Sequence, residues 1–328
     1  LNTTGILIVK NKQGSKIRQV PLGKEGGVIL PNSTVNIRSI IAKPKAGEYI
    51  AEVIIKYGER GQLTAKMPFE VTKSKVIAKG KLNASLPLAV MINPENISLS
   101  IMPNAVRNRI IILTNEEKFD LKVNAAVVNV TNAEDGEWIA VESQVNDKWS
   151  CAEWLSLETN EFILKAGEKK PLKINIKVPA SKEQGERFCQ IKIKMQKDSC
   201  LPTELFLPVV LKYAGNFREE LEITDINIIN KNPLICGVIV RNVGDIGIKP
   251  TGKVSIQSVI NNPDLLGEIT KPVGEYKIHE INDLILPNKT VRLHTTTISP
   301  LSKGKYRVIA EIEYGKGKYL NFQKDFNL

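Results

Sequence analysis

The residues of this chain with reactive or ligating side chains are few and scattered. The four cysteines are Cys151, Cys189, Cys200 and Cys236, and no two stand as Cys-x-x-Cys. The two histidines, His279 and His294, have no serine or cysteine motif pointing at either. A structural zinc site needs four such ligands at short spacings, and covalent catalysis needs a nucleophile beside a base. The pattern therefore predicts no catalytic residues, no metal site and no cofactor. The run Asn132-Ala-Glu-Asp-Gly-Glu137 gathers carboxylates before Trp138. A calcium loop needs more oxygen ligands at fixed offsets, so a solvated turn is expected.

Two residue types speak of sugars. Six Asn-x-Ser/Thr sequons stand at Asn2, Asn32, Asn83, Asn96, Asn129 and Asn288. They are candidate N-glycosylation sites, and their number favours an exported protein. The three tryptophans are Trp138, Trp149 and Trp154. Trp154 lies in an alternating stretch and is expected in a core. Trp149, beside Asp147 and Lys148, is the candidate glycan contact at the surface.

The elements that must position these residues are strands. Lys173-Ile-Asn-Ile-Lys-Val178, Cys189-Gln-Ile-Lys-Ile-Lys-Met195, Lys253-Val-Ser-Ile-Gln257 and Tyr306-Arg-Val-Ile-Ala-Glu-Ile-Glu-Tyr314 alternate polar and apolar residues. Period-two alternation means a strand with one buried face. Turn signals such as Pro31-Asn32, Ala166-Gly167 and Lys303-Gly304 separate them, a spacing that predicts β-sandwiches. If residues 188–196 and 202–212 form a hairpin, Cys189 lies roughly 25–30 Å along it from Cys200, too far to bond. A disulfide in the middle of the chain then involves Cys151, with Cys200 or Cys189 as partner, and leaves Cys236 a buried free thiol.

An internal repeat divides the chain. Ile29-Leu-Pro-Asn-Ser-Thr-Val35 matches Ile285-Leu-Pro-Asn-Lys-Thr-Val291. Gly47-Glu-Tyr49 matches Gly304-Lys-Tyr306, Tyr57-Gly58 matches Tyr314-Gly315, Phe69 matches Phe326, and Thr4-Gly5 matches Thr251-Gly252. Residues 28–71 and 284–328 are thus expected to form the same strands with the same pairing. The predicted units are residues 1–80, a partial sandwich; 81–214, a sandwich holding all the tryptophans; and 215–328, a sandwich repeating the first. The third copy has about thirty residues, Leu221 to Lys249, that have no counterpart before Thr4. The first unit is accordingly expected to lack strands that would cover Ile6, Ile8, Val53 and Ile55. Two sources are open: sequence upstream of Leu1, which is not a methionine, or a strand donated by a neighbouring subunit in a head-to-tail filament.

The chain of 328 residues carries a net charge of +11, unevenly spread. Residues 1–80 hold 14 basic and 5 acidic side chains, whereas residues 81–214 hold 17 of each. A basic segment can meet an anionic polymer. Aromatics make up only 5% and are absent from the first 48 residues, which argues against nucleic acid, where bases stack on aromatic side chains. No apolar run is long enough for a transmembrane helix.

Trp154-Leu-Ser-Leu157, Phe162-Ile-Leu-Lys-Ala-Gly-Glu168 and Ile174-Asn-Ile-Lys-Val-Pro179 resemble the bacterial and archaeal surface immunoglobulin-like domains, the peptidoglycan-binding domain of WxL-interacting proteins among them. Asn242-Val-Gly244, Pro250-Thr-Gly252, Leu286-Pro-Asn288 and Gly304-Lys-Tyr306 resemble the host-binding domain that follows it in that family. The resemblance implies an all-β chain of three tandem immunoglobulin-like β-sandwiches at the cell surface or outside the cell. It implies a non-enzymatic stalk, layer or filament subunit, or alternatively an adhesion module for wall polymer, glycan or host protein. The expected partners are cell-wall polymer or neighbouring copies.

Overall fold

The structure is a computed structural model describing residues 2–22, 27–28, 41, 44–57, 61–72, 75–79, 83–84, 88–141, 147–180, 184–198, 200–213, 215–231, 234–262, 267–296, 298 and 301–328. It is all-β, and the helical residues described are one 3-10 turn, Ala152–Trp154.

Residues 88–213 and 215–328 each close two sheets over a core, as immunoglobulin-like sandwiches do. In the later one, β18 (Leu221–Lys231), β19 (Leu234–Asn242) and β22 (Thr290–His294) form one sheet. Its second sheet runs β21 (Gly267–Lys277), β20 (Thr251–Asn262), β23 (Lys305–Tyr314), β24 (Lys318–Asn327). Alternation sends Val238, Val240 and Leu293 from one side and Val308, Ala310 and Ile312 from the other into a shared interior. In the middle sandwich one sheet runs β13 (Leu155–Leu157), β15 (Lys169–Lys177), β10 (Val106–Asn115), β8 (Val90–Asn93). It faces β11 (Leu121–Asn132), β14 (Glu161–Leu164), β16 (Glu186–Gln196) and β17 (Thr203–Tyr213). Ile111, Leu113, Ile174 and Ile176 meet Ile191, Ile193, Leu207 and Leu211 between them.

The two sandwiches share a buried asparagine that closes the end of a core strand. The Asn115 amide donates to the carbonyls of Phe119, Leu164 and Lys165, and its oxygen accepts from Glu117 N–H. The Asn242 amide donates to Ile246 and Ile285 carbonyls, and its oxygen accepts from Gly244 N–H. Each side chain satisfies turn groups that would otherwise be buried without partners.

The first segment is one sheet as far as it is described. Its strands are β1 (Asn2–Asn11), β2 (Lys16–Pro21), β4 (Gly47–Tyr57) and β5 (Gly61–Val71), with the two-residue β3 (Gly27–Val28) beside β1. The order β2-β1-β4-β5 matches β21-β20-β23-β24. Register matches too. Tyr49 faces Phe69 as Tyr306 faces Phe326, and Gly5 faces Ile55 as Gly252 faces Ile312. The Leu30-Pro-Asn32 turn of the first copy lies outside the described residues.

Burial does not match. Tyr306, Val308, Ala310, Ile312 and Tyr314 are buried. Their counterparts Tyr49, Ala51, Val53, Ile55 and Tyr57 are all half-buried. Register also corrects one expectation. Ile6 pairs with Ile54 and Ile8 with Glu52, so Ile6 and Ile8 lie on the opposite face from Val53 and Ile55. Ile8 is already buried there. The short β6 (Val76–Ala78) and β7 (Asn83–Ala84) pair with β5, so pairing with the first sheet runs past residue 80.

The first sheet joins the middle one edge to edge, through Glu204 opposite Gln62 and Leu205 opposite Gly61. Further along β17, residues 209–213 pair in parallel with β9 (Ile97–Ile101). Pro208 stands in the gap between these partners, at an edge position where its missing N–H costs no ladder bond.

Candidate binding site at the junction of the three segments

The acidic turn after β11 is where the segments meet. Asn132 takes its place there by three hydrogen bonds: its amide donates to Gly136 O at 2.7 Å and Leu284 O at 3.0 Å, and its oxygen accepts from Leu286 N–H at 2.8 Å. Glu134 pairs with Arg292 of the third segment, and Glu137 with Lys56 of the first. Gly136 has φ +91°, and a Cβ there would meet Ile281 at 3.0 Å, so both conformation and space call for glycine. The turn is solvated as expected at Glu134 and Asp135, which are exposed, while Glu134 and the half-buried Glu137 also tie it to the other two segments.

β12 (Trp138–Val141) follows that turn. The Trp138 backbone N–H donates to the Asp283 carboxylate at 2.7 Å, and its indole N–H to Leu284 O at 2.7 Å. Trp138 packs edge-on against Phe188, in a small cluster with Trp149, Val130 and Leu286. The Leu286-Pro-Asn288 turn is thus a docking element for the middle sandwich. Burial pushes the Asp283 carboxyl above its ordinary range, against the pull of the Trp138 N–H.

Between the three segments lies a cleft of about 630 Å³. Its walls carry Lys56, Lys192 and Lys249 beside Glu137, Glu204 and Asp283, together with the apolar Phe206 and Trp138. Lys192 reaches Glu204 at 3.1 Å. Gln190, on β16, lines the cleft while only 5% exposed, and its side-chain oxygen has no protein partner. A buried amide oxygen without a partner is costly and accepts a hydrogen bond from whatever donor enters. The site offers paired charges, one amide acceptor and a part-apolar wall. That suits recognition of a polar, hydrogen-bond-donating ligand. The titratable pairs in it are ion pairs, not a nucleophile beside a base.

Trp149, expected at the surface from its polar sequence neighbours, is only 7% exposed. Arg187 lies over its ring at 5.1 Å and Lys148 at 4.4 Å, and Phe188 and Leu286 share its cluster. A sugar would have to displace these, so Trp149 is a packing residue and not a glycan contact. Trp154 ends the 3-10 turn rather than sitting in a strand, half-buried against Tyr213 and Arg187. Asn96 and Asn288 are exposed, and Asn129 is half-buried with its oxygen engaged by Ser150. The side chains of Asn2 and Asn83, and Asn32 entirely, lie outside the described residues. His279, just past β21, donates its backbone N–H to His294 O at 2.7 Å, and burial lowers the His294 pKa. Cys151 and Cys189 are fully buried with sulfurs 3.1 Å apart; Cys200 lies in the turn after β16; Cys236 sits in the other core, its thiol pushed up to about 11 by burial. Among the described residues no group of three or more His, Cys, Asp or Glu could hold a metal, and no helix is long and apolar enough to cross a membrane.

The fold and junction define an immunoglobulin-like β-sandwich chain. No family model and no curated protein matches it. The resemblance to WxL-interacting proteins therefore reaches the sandwich fold and no further. Similar solved structures include a chain of the chaperone–tip adhesin complex of CFA/I fimbriae, 15% identical, covering 72% of this chain and 98% of that one, TM-score 0.38. The class 5 fimbriae chaperone CfaA is 15% identical over 72% of this chain and 98% of its own, TM-score 0.34. A chain of the CsuC–CsuE chaperone–tip adhesion subunit complex of Acinetobacter baumannii is 15% identical over 72% and 97%, TM-score 0.37.

Proposed function

We propose that this chain is a non-enzymatic structural subunit of a cell-surface or extracellular assembly, joined to its neighbours through the first segment. One observation carries the reading. The face of β4 bearing Ala51, Val53 and Ile55 is half-buried, whereas its repeat on β23 is buried beneath β18, β19 and β22. Half-covered apolar strands gain free energy from further cover, at about 25 cal/mol per Å² removed from water. Strands from beyond residues 1–80, of the same polypeptide or of a neighbouring copy, close that face in the assembly. Light scattering and negative-stain microscopy on the chain test this. Concentration-dependent oligomers, weakened by Ile55→Asp, are expected. A strict monomer whose first segment resists unfolding as well as the third would overturn it.

A second reading, a module binding wall polymer or glycan, is favoured by the cleft with its unpartnered Gln190 oxygen and by the basic residues 1–80. Retention on purified cell wall, lost in Gln190→Leu, would select it.

A further inference from the structure

The geometry points to a disulfide between Cys151 and Cys189 that clasps the middle sandwich where it meets the third segment. Both residues are wholly inaccessible, and their sulfurs stand 3.1 Å apart, about one ångström beyond a bond. The backbone around them is already paired. Phe188 N–H donates to Trp149 O at 2.8 Å and Cys151 N–H to Phe188 O at 3.2 Å, with Ser150 bridging Phe188 in parallel. Residues 149–151 thus lie as a short strip along the start of β16, and the bond would complete that contact covalently.

The alternatives are placed elsewhere. Cys200 is in the turn beyond the far end of β16, where its carbonyl accepts from the Gln196 amide. Cys189 faces Val209 across the β16–β17 ladder, well inside the hairpin. Cys236 belongs to the third segment's core and pairs with Ile228 on β18.

Bond formation breaks two S–H bonds and makes one S–S bond. Two protons and two electrons pass to a disulfide oxidant of the glutathione type, which leaves as two thiols. Attack requires a thiolate, and burial raises the Cys151 thiol well above its ordinary range. The bond is therefore made while the chain folds, before the pair is sealed in. Once made, it resists reductants in the native state.

What it clasps gives it a consequence. The start of β16 carries the contacts to the third segment: Glu186 N–H donates to Asp245 O, the Glu186 carboxylate accepts from Gly247 N–H, and Phe188 shares a buried cluster with Leu286. Fixing residues 149–151 against this strand restrains the whole joint.

The test is oxidative refolding of the reduced chain with oxidised glutathione, then alkylation, non-reducing digestion and mass spectrometry. A linked peptide containing Cys151 and Cys189 is expected, two hydrogens lighter than the free pair, with Cys200 and Cys236 alkylated. The link should persist in Cys200→Ser and vanish in Cys189→Ser. Exchange of the Cys151 amide should slow in the oxidised form, and its thermal midpoint should lie several degrees above the reduced form. Alkylation of both Cys151 and Cys189 in the refolded chain, or a Cys151–Cys200 link, would overturn the assignment.

Discussion

Residues 47–71 and 305–327 are the same hairpin in two settings. Strand order, register and the tyrosine that opens the first strand are shared. Tyr49 donates its hydroxyl to Lys45 O and Tyr306 to Ser302 O, each four residues back. What differs is the lid. In the third segment β18 and β19 deliver Ile226, Cys236, Val238 and Val240 onto the hairpin, and Lys324 of β24 is tied to Asp225 of β18. In the first, the position matching Lys324 is the uncharged Met67, and the opposed face is half-buried. The difference teaches that local sequence sets strands, turns and pairing, whereas the degree of burial depends on a second sheet from elsewhere in the chain.

The largest effect that sharpens this contrast comes from its matched isoleucines. Ile312 is wholly buried, and Ile312→Ala should cost about 2–5 kcal/mol through lost transfer energy and a cavity. Ile55 is half-buried, so Ile55→Ala should cost roughly half as much or less. Denaturant-dependent hydrogen exchange, read separately on β4 and β23, measures both. Equal costs in the isolated chain would mean that the first face is already covered, and the comparison would break.

The repeat shows how much could be read in advance. Tyr49 to Phe69 and Tyr306 to Phe326 span equal lengths of sequence, so one hairpin with one register was legible from two aromatic pairs. Alternation in Lys173–Val178 and Tyr306–Tyr314 placed inward residues because a strand has period two and each had one covered face. The candidate site was hidden because its partners are remote. Glu137 meets Lys56 and Glu134 meets Arg292, and nothing near the acidic turn announces either. Gln190 alternates with inward Cys189 and Ile191 and so reads as solvent-facing. It is buried because the outward face of β16 is roofed at the junction. Trp149 misled for a similar reason: its polar neighbours in sequence conceal Arg187, Phe188 and Leu286 in space.

A smaller effect separates the two tyrosine hydroxyls. Tyr306 is buried, and its hydroxyl meets both Ser302 O at 3.0 Å and Ser302 Oγ at 3.1 Å. Tyr306→Phe should cost about 0.5–1.5 kcal/mol. The Tyr49 bond is solvent-exposed at 2.8 Å, where water replaces it readily, so Tyr49→Phe should cost only a few tenths of a kcal/mol. Urea midpoints of the two variants check the order, and a reversed order would show that the first hairpin depends on its clip more than on its cover.

The smallest effect concerns a residue the first copy lacks. Counting back from the two Leu-Pro-Asn turns, Asp283 falls opposite Gly27, so the carboxylate belongs to the docking of the third segment alone. It accepts the Trp138 N–H, yet burial raises its pKa above 3.8, assisted by Glu137 and opposed by Lys56 and Lys249. A carboxyl raised on folding binds its proton more tightly in the native state. Its contribution to stability is complete below the unfolded value and is lost as pH rises through the folded one. At neutral pH the charged Asp283 is thus a cost to the joint. Asp283→Asn keeps an oxygen for the Trp138 N–H and removes the titration. Its thermal midpoint should rise by about a degree or two near neutrality. The wild-type decline across the weakly acidic range should flatten correspondingly. Midpoints from about pH 4 to pH 7 decide the matter. A variant that loses stability at neutral pH would mean that attraction to Lys56 and Lys249 outweighs burial, and that this turn is held to the middle sandwich by charge.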